Sequence, residues 1–130
     1  MKKGSKILLG FLIIIVIIIV GSVLFFQSMQ KGIESLIEME IEDVDLSMVE
    51  DGVYAGTYQQ LPVTVELMVT VVNHDITSIE ITKHFNGQGS PAEAITDDIV
   101  SEDTLLIDAI AGATVSSKCI LLAVKDALTP

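Results

Sequence analysis

The spacing of apolar residues divides this chain before any single residue does. Ile7 to Phe26 is a run of 20 residues without a charge, dominated by Ile, Leu and Val. At about 1.5 Å per residue a helix of that length spans about 30 Å, the thickness of a bilayer core. Beyond it, Ile33, Leu36, Ile37, Ile41 and Val44 recur at helical spacing, with Glu34, Glu38, Glu42 and Asp45 on the other side. This predicts an amphipathic stalk from Gln27 to about Glu50. Ile37, Ile41, Val44 and Met48 have the spacing of a short dimer seam, but two heptads are too few to specify one. The other reading is a helix that continues from the span and packs on its own domain.

The period then switches from helical to alternating. Asp51-Gly52 is a turn signal, and Val53 to Tyr58 reads as a short strand with Tyr54, Gly56 and Tyr58 on one face. After Pro62, Val63, Val65, Leu67, Val69 and Val71 alternate with Thr64, Glu66, Met68 and Thr70, the period of a half-buried strand. Asn73-His74-Asp75 is a tight turn, and Ile76 to Lys83 is the partner strand, with Ile79 and Ile81 on one face. Three sequential strands with short links predict an antiparallel meander. Asn86-Gly87-Gln88-Gly89 is a polar loop, followed by a helix start with Ser90 as N-cap, Pro91 first in the helix and Glu93 three past the cap. Ala92, Ile95 and Ile99 form that helix's apolar stripe, and Asp97, Asp98 and Glu102 its solvated face. Leu105-Leu106-Ile107 is either a further strand or a buried connection, and a last helix runs from about Val115 to Leu128.

The expected fold class is α+β: a small antiparallel meander packed by two helices and preceded by one N-terminal transmembrane helix. The expected divisions are residues 1–6, a membrane anchor at 7–26, an acidic stalk at 27–50 and a folded domain at 51–130.

Charge adds an orientation. Lys2, Lys3 and Lys6 precede the span, and only Lys31 lies close behind it. The positive-inside rule places the N-terminus in the cytoplasm and the domain outside, on a single-pass cell-membrane protein. A cleavable signal peptide fits less well, because the run exceeds the roughly 7–15 residues of a signal core and Gly21-Ser22-Val23 is a poor cleavage site. All 18 acidic residues follow the span, against four of the seven lysines, a balance of −14. A nucleic-acid partner requires the opposite sign. Cys119, the one cysteine, has no intramolecular partner and sits in an apolar helical pattern, which reads as an inert core thiol. His74, His84 and Cys119 lack metal-ligand spacing.

Candidate chemistry gathers in Asp108-Ala109-Ile110-Ala111-Gly112-Ala113-Thr114-Val115-Ser116-Ser117, where a loop turns into the last helix. A helix N-terminus leaves up to four backbone N–H groups without intrahelical acceptors and suits an anion. Gly112 and Ala113 allow close approach to the backbone, and Thr114 and Ser116 supply hydroxyls. Ser116 is in phase with Ile120, Ala123 and Ala127, the inward edge of the helix. The same residues also serve as an ordinary capped start, with Thr114 or Ser116 as N-cap. His84 is either a contact to a ligand at this site or a surface residue at a strand end, and Tyr54 and Tyr58 either pack the sheet or stack on a ligand.

This run resembles the Asp-x-x-(Ser/Thr)-Gly-Ala-(Thr/Ser)-x-(Thr/Ser) motif of the FMN-binding domain family. That family occurs in covalent-flavin subunits of the sodium-pumping quinone reductase and of Rnf-type complexes, and in small extracytoplasmic electron-transfer proteins. Asp108, Gly112, Ala113, Thr114 and Ser116 match. Asp51-Gly52-Val53-Tyr54-x-Gly56, the strand pair, His84 before a glycine-containing loop and Ala123 to Leu128 extend the likeness over about residues 51–128. Position 111 is Ala where Ser or Thr is usual, and Ser116 stands where Thr is commoner. The resemblance implies FMN as cofactor, held by Asp108, Gly112, Ala113, Thr114, Ser116 and His84. It implies a flavin transferase as partner, moving FMN from FAD onto the Ser116 hydroxyl as a phosphoester. It further implies electron relay to redox partner proteins or the quinone pool. No nucleophile–base pairing or second cofactor motif is visible, so an enzyme with its own substrate is the less expected reading. Noncovalent FMN binding in a sensor or regulatory module, and a cofactor-free surface interaction domain, are the alternatives.

Overall fold

The computed structural model describes residues 2–85 and 90–129. The expected glycine loop at 86–89 lies outside the described residues. The chain divides into two units, Met1–Gly32 and Ile33–Pro130. The first is helical: α1 runs Lys3–Glu38. Its apolar stretch is long and apolar enough to anchor the chain in a membrane, and its side chains from Ile7 to Phe26 are almost all exposed. A helix with apolar residues on every face has no polar side to offer water, which suits lipid.

The second unit holds the α+β domain. Its strands are β1 (Gly52–Gln60), β2 (Val63–Val72) and β3 (Asp75–Phe85). They form one antiparallel sheet in the order β1-β2-β3, the meander expected from the alternating pattern. The two-residue turn at Asn73-His74 has both residues in the left-handed region, φ 53° and 65°. That geometry matches the right-handed twist of the flanking strands. Helices α2 (Ile95–Glu102) and α3 (Thr114–Leu128) cover one face of the sheet, α3 on β1 and β2, α2 on β3. The core between them is built from Val65, Leu67, Val69 and Val71 of β2 against Ile95, Ile99, Ile120 and Val124.

β3 is not a regular alternation. Register shifts fall opposite Glu66/Leu67 and Thr70/Val71, leaving Thr82 and Thr77 as extra residues. Their hydroxyls donate to Glu66 O (3.0 Å) and Thr70 O (3.2 Å). An extra residue changes which side chains face inward. After Ile79 and Ile81, strict alternation would turn Lys83 inward. The bulge instead pairs Lys83 with Glu66 and His84 with the buried Val65.

Two sequence expectations change, and one open alternative is decided. The helical stalk stops at Glu38, so Ile41 and Val44 lie on no helix face and cannot continue a helical seam. Residues 39–50 are instead a mostly extended strap with a 3-10 turn at Leu46–Met48. Ser90–Ala94 is a 3-10 turn, and the α-helix begins only at Ile95. Leu105 to Ile107 is a connection with Leu105 buried, not a strand.

The strap is bonded along its length. Lys118 Nζ donates to Met39 O, and Lys125 pairs with Glu42 (3.0 Å). The Asp43 carboxylate accepts from Leu105 N (2.9 Å) and Thr104 Oγ1 (2.6 Å). His74 Nδ1 lies 3.0 Å from Leu46 O and 2.9 Å from Val49 O. Burial of Asp43 acts to raise its pKa, but the Leu105 amide, the Thr104 hydroxyl and the Val44 amide outweigh it and hold the carboxyl below its ordinary value. A depressed folded pKa adds stability above the unfolded value, and this is lost as pH falls through the folded one. Asp43→Asn is therefore expected to lower stability at neutral pH and flatten the acid limb of a thermal-melt pH series from the ordinary carboxylate range downward.

Gly56 fixes the contact between α3 and β1. A Cβ there would meet Ala123 O at 2.0 Å and Ala127 Cβ at 2.7 Å. Both obstacles belong to a packed helix, so relief requires α3 to move. Gly56→Ala is expected to cost about 3 kcal/mol or more, at or above the upper end of ordinary overpacking, read as loss of a cooperative melt or a large fall in Tm.

Candidate functional site

The site is set by how α3 lies on the sheet. Cys119 bonds the Gln60 backbone, Ala123 and Ala127 face Gly56, and Thr57 N donates to Asp126 Oδ2 (3.0 Å). α3 is therefore antiparallel to β1. Its N-terminus lies at the sheet end where β1 turns at Leu61-Pro62, and the Phe85–Thr64 pair brings the end of β3 to the same place.

The start of α3 is built differently from either expected cap. Its N-cap is Ala113, with no side-chain cap bond, so neither Thr114 nor Ser116 caps the helix. Ser117 closes the turn instead. Its Oγ donates to Ala113 O (2.8 Å) and accepts from Ile110 N (3.0 Å) while fully buried. Ala113 N donates to Ile110 O (3.0 Å), and Gly112 takes φ 79°, which a glycine adopts without strain. Because the lock comes from the loop side, the amides of Thr114, Val115 and Ser116 have no protein acceptor among the described residues. Three adjacent N–H groups at a helix start favour an anion.

Ser116 is 2% exposed on the inward edge of α3, in line with the buried Ile120 and Ala123. Its hydroxyl makes no hydrogen bond to a described residue. Thr114 is half-buried and Ala113 buried beside it. The thiol of Cys119 is also buried, and burial pushes it up to about 11, as expected of an inert core thiol.

His84 is not a surface residue. Its side chain is 2% exposed on the inner face of β3, and Nδ1 lies 2.9 Å from Glu93 Oε1 in the Ser90–Ala94 turn. That turn packs on α3, so His84 joins the site end of the domain through it. Glu93 reads in the sequence only as a helix-start residue. Its pairing with His84 depends on the Thr82 bulge, which leaves no sequence signal.

Asp108 lies apart from Ser116. It is exposed and lines an open groove of about 490 Å³ with Glu40, Ile41, Leu106, Lys118 and Leu121. Lys118 is two residues past Ser116, about 200° round the helix. The structure thus groups Gly112, Ala113, Thr114 and Ser116 at the turn into α3 and brings His84 to the same end, while Asp108 lines the groove beside Lys118. Tyr54 and Tyr58 pack against the core, and Tyr54 Oη donates to Glu50 O (2.7 Å). The bracing role of Ser117 is set by the folded loop. Its only sequence signal is a second hydroxyl beside Ser116.

A family model for the FMN-binding domain matches residues 62–129, just over half of the chain. The chain belongs to the FMN-binding domain family, and its cofactor is FMN. The match begins after β1, so the Asp51–Gly56 stretch lies outside it. No curated protein and no solved structure matches the chain.

The residues present fit the phosphate end of FMN: three open amides, a glycine at positive φ and a hydroxyl with no partner among the described residues stand together. Ser117→Ala would remove both bonds of the lock and leave Ile110 N without its acceptor. Losses of this kind cost about 1–3 kcal/mol. A lowered Tm with increased amide hydrogen exchange at 110–117 is the expected outcome.

Proposed function

We propose that this chain is a membrane-anchored, extracytoplasmic flavoprotein that relays electrons through FMN attached at Ser116. The observation that carries the reading is the start of α3, where the hydroxyl of the buried residue Ser116 and three adjacent amides make no hydrogen bond to the described residues. The amides of Thr114 to Ser116 would bind phosphate oxygens, and the Ser116 hydroxyl is within the same turn to form the phosphoester. Attachment joins Ser116 Oγ to the FMN phosphorus of FAD and releases AMP, with a flavin transferase supplying the catalysis. At 2% exposure Ser116 must be uncovered before that enzyme reaches it.

Bound flavin supplies reversible electron and hydride chemistry. The chain's own contribution is positioning. The Ser117 lock fixes the turn, and the pair with Glu93 orients the His84 ring at the same end. The lysines before the span support a cytoplasmic N-terminus and a domain on the outer face, where redox partner proteins or the quinone pool exchange electrons with it.

Co-expression with a flavin transferase, followed by a denaturing gel viewed for flavin fluorescence, tests the reading. The wild-type band should fluoresce, Ser116→Thr should retain the signal, and Ser116→Ala should lose it completely while still folding. Fluorescence that persists in Ser116→Ala overturns Ser116 as the attachment point. Flavin released by denaturation from the wild type identifies noncovalent binding instead.

A further inference from the structure

The open turn of α3 adjoins a groove on the flank of the helix away from Ser116. Thr114, Lys118 and Leu121 follow one another along that flank at steps of four and three residues. Lys118 and Leu121 contribute one wall of the groove of about 490 Å³, and the Leu105–Ala109 connection contributes another. Glu40 and Ile41 of the strap contribute the third. These two precede the residues that the family model matches, so this wall comes from the chain's own strap. Lys118 donates to Met39 O and so ties strap to helix beside the groove.

The lining is apolar with two separated polar groups. Leu105 and Leu121 are buried, Ile41 and Ile107 half-buried, and Leu106 64% exposed. Lys118 is half-buried and forms no ion pair among the described residues. An ammonium has three N–H donors, and Met39 O takes one. The exposed Asp108 carboxylate makes no hydrogen bond to a described residue. A donor, an acceptor and apolar walls suit a flat aromatic ligand with polar groups along one edge. The isoalloxazine of FMN has that form: carbonyls flank an N–H on its pyrimidine edge, and its other end is a dimethylbenzene.

The groove is also within reach of the phosphate turn. A phosphate on the open amides lies on the helix axis, from which a ribityl arm has two flanks to follow. The flank that Ser116 faces is filled, since Ser116 and the His84 side chain are each 2% exposed. On the way to the groove, Gly112 is exposed at φ 79°, with no atom within 4 Å of where a Cβ would stand. Lys118 is about 6 Å along the helix from Thr114.

We infer that this groove seats the isoalloxazine of bound FMN. Lys118 and Asp108 serve its polar edge, and Ile41, Leu106 and Leu121 its apolar rings. The strap is then part of the cofactor site and not only a brace for α3. The inference rests on the reading of the α3 start as the phosphate site.

The full chain in detergent, loaded by co-expression with a flavin transferase and excess FMN, is compared with the unloaded chain. Amide hydrogen exchange at 39–41 and 105–109 should slow by about tenfold on loading, as for a contact that local opening must break. Flavin emission should resist iodide. Leu106→Glu, at an exposed position outside the core, should abolish the slowing at 105–109 and admit iodide, while the fluorescent band on a denaturing gel persists. Lys118→Met, which keeps an apolar stem and removes the donors, should weaken both effects. Slowing confined to 110–117, or wild-type emission quenched as fully as that of Leu106→Glu, overturns the groove and leaves attachment at Ser116 standing. Slowing at 39–41 and 105–109 with flavin released by denaturation keeps the groove and overturns the attachment. A chain that takes up no FMN overturns both.

Discussion

The approach of α3 to β1 across Gly56 governs this domain. Helix backbone lies where any side chain at position 56 would project, so Ala123 and Ala127 seat directly on the strand. Small residues on both partners make that distance available, and the close contact sets the direction of the helix. Asp126 on Thr57 N and Cys119 on Gln60 extend the contact along β1. The helix N-terminus is thereby delivered to the sheet end where β1 turns and β3 finishes. A bulkier residue at position 56 would tilt α3 and carry its N-terminal turn away from His84 and Glu93.

At that turn, the absence of a conventional cap is the useful feature. A side-chain oxygen from the N-cap residue would occupy one of the amides that a phosphate needs. Ala113 cannot do so. The turn is held from behind by Ser117, whose hydroxyl bonds one carbonyl and one amide of the preceding loop and leaves the helix amides open. Neighbouring serines thus divide two tasks, Ser117 bracing the turn and Ser116 presenting an unengaged hydroxyl. The departures from the family motif fit this division. Ala111 is exposed and takes no part in the lock, and Ser116 keeps the hydroxyl that Thr would supply.

The segment between α1 and the sheet is a structural part of the domain rather than a spacer. Asp43 reaches the 104–105 connection, Glu42 and Met39 engage α3, and Leu46 and Val49 meet His74. Each bond is individually modest, since most of these groups are exposed and screened. Together they define where the chain enters and along which side of α3 it passes.

Periodicity in the sequence was sufficient for the meander, the two covering helices and the membrane-length apolar run, because each depends on local spacing and on burial of one face. The Asp108–Ser117 run likewise marked the start of α3 and the small residues that a phosphate requires. Other features depend on contacts between residues far apart in the chain. The alternating pattern of β3 gives no notice of the Thr82 bulge, which turns His84 inward and Lys83 outward. The spacing of Ile41 and Val44 imitates a helix, yet Asp43 is drawn into the 104–105 connection and the strap extends. Ser117 rather than Thr114 or Ser116 holds the helix start, because only the folded loop brings Ile110 N within its reach. Local patterns determined the elements and the kind of chemistry at this turn. Which hydroxyl was left unbonded, and which end of the domain presents it, was decided by tertiary packing, since both depend on where α3 is seated against Gly56.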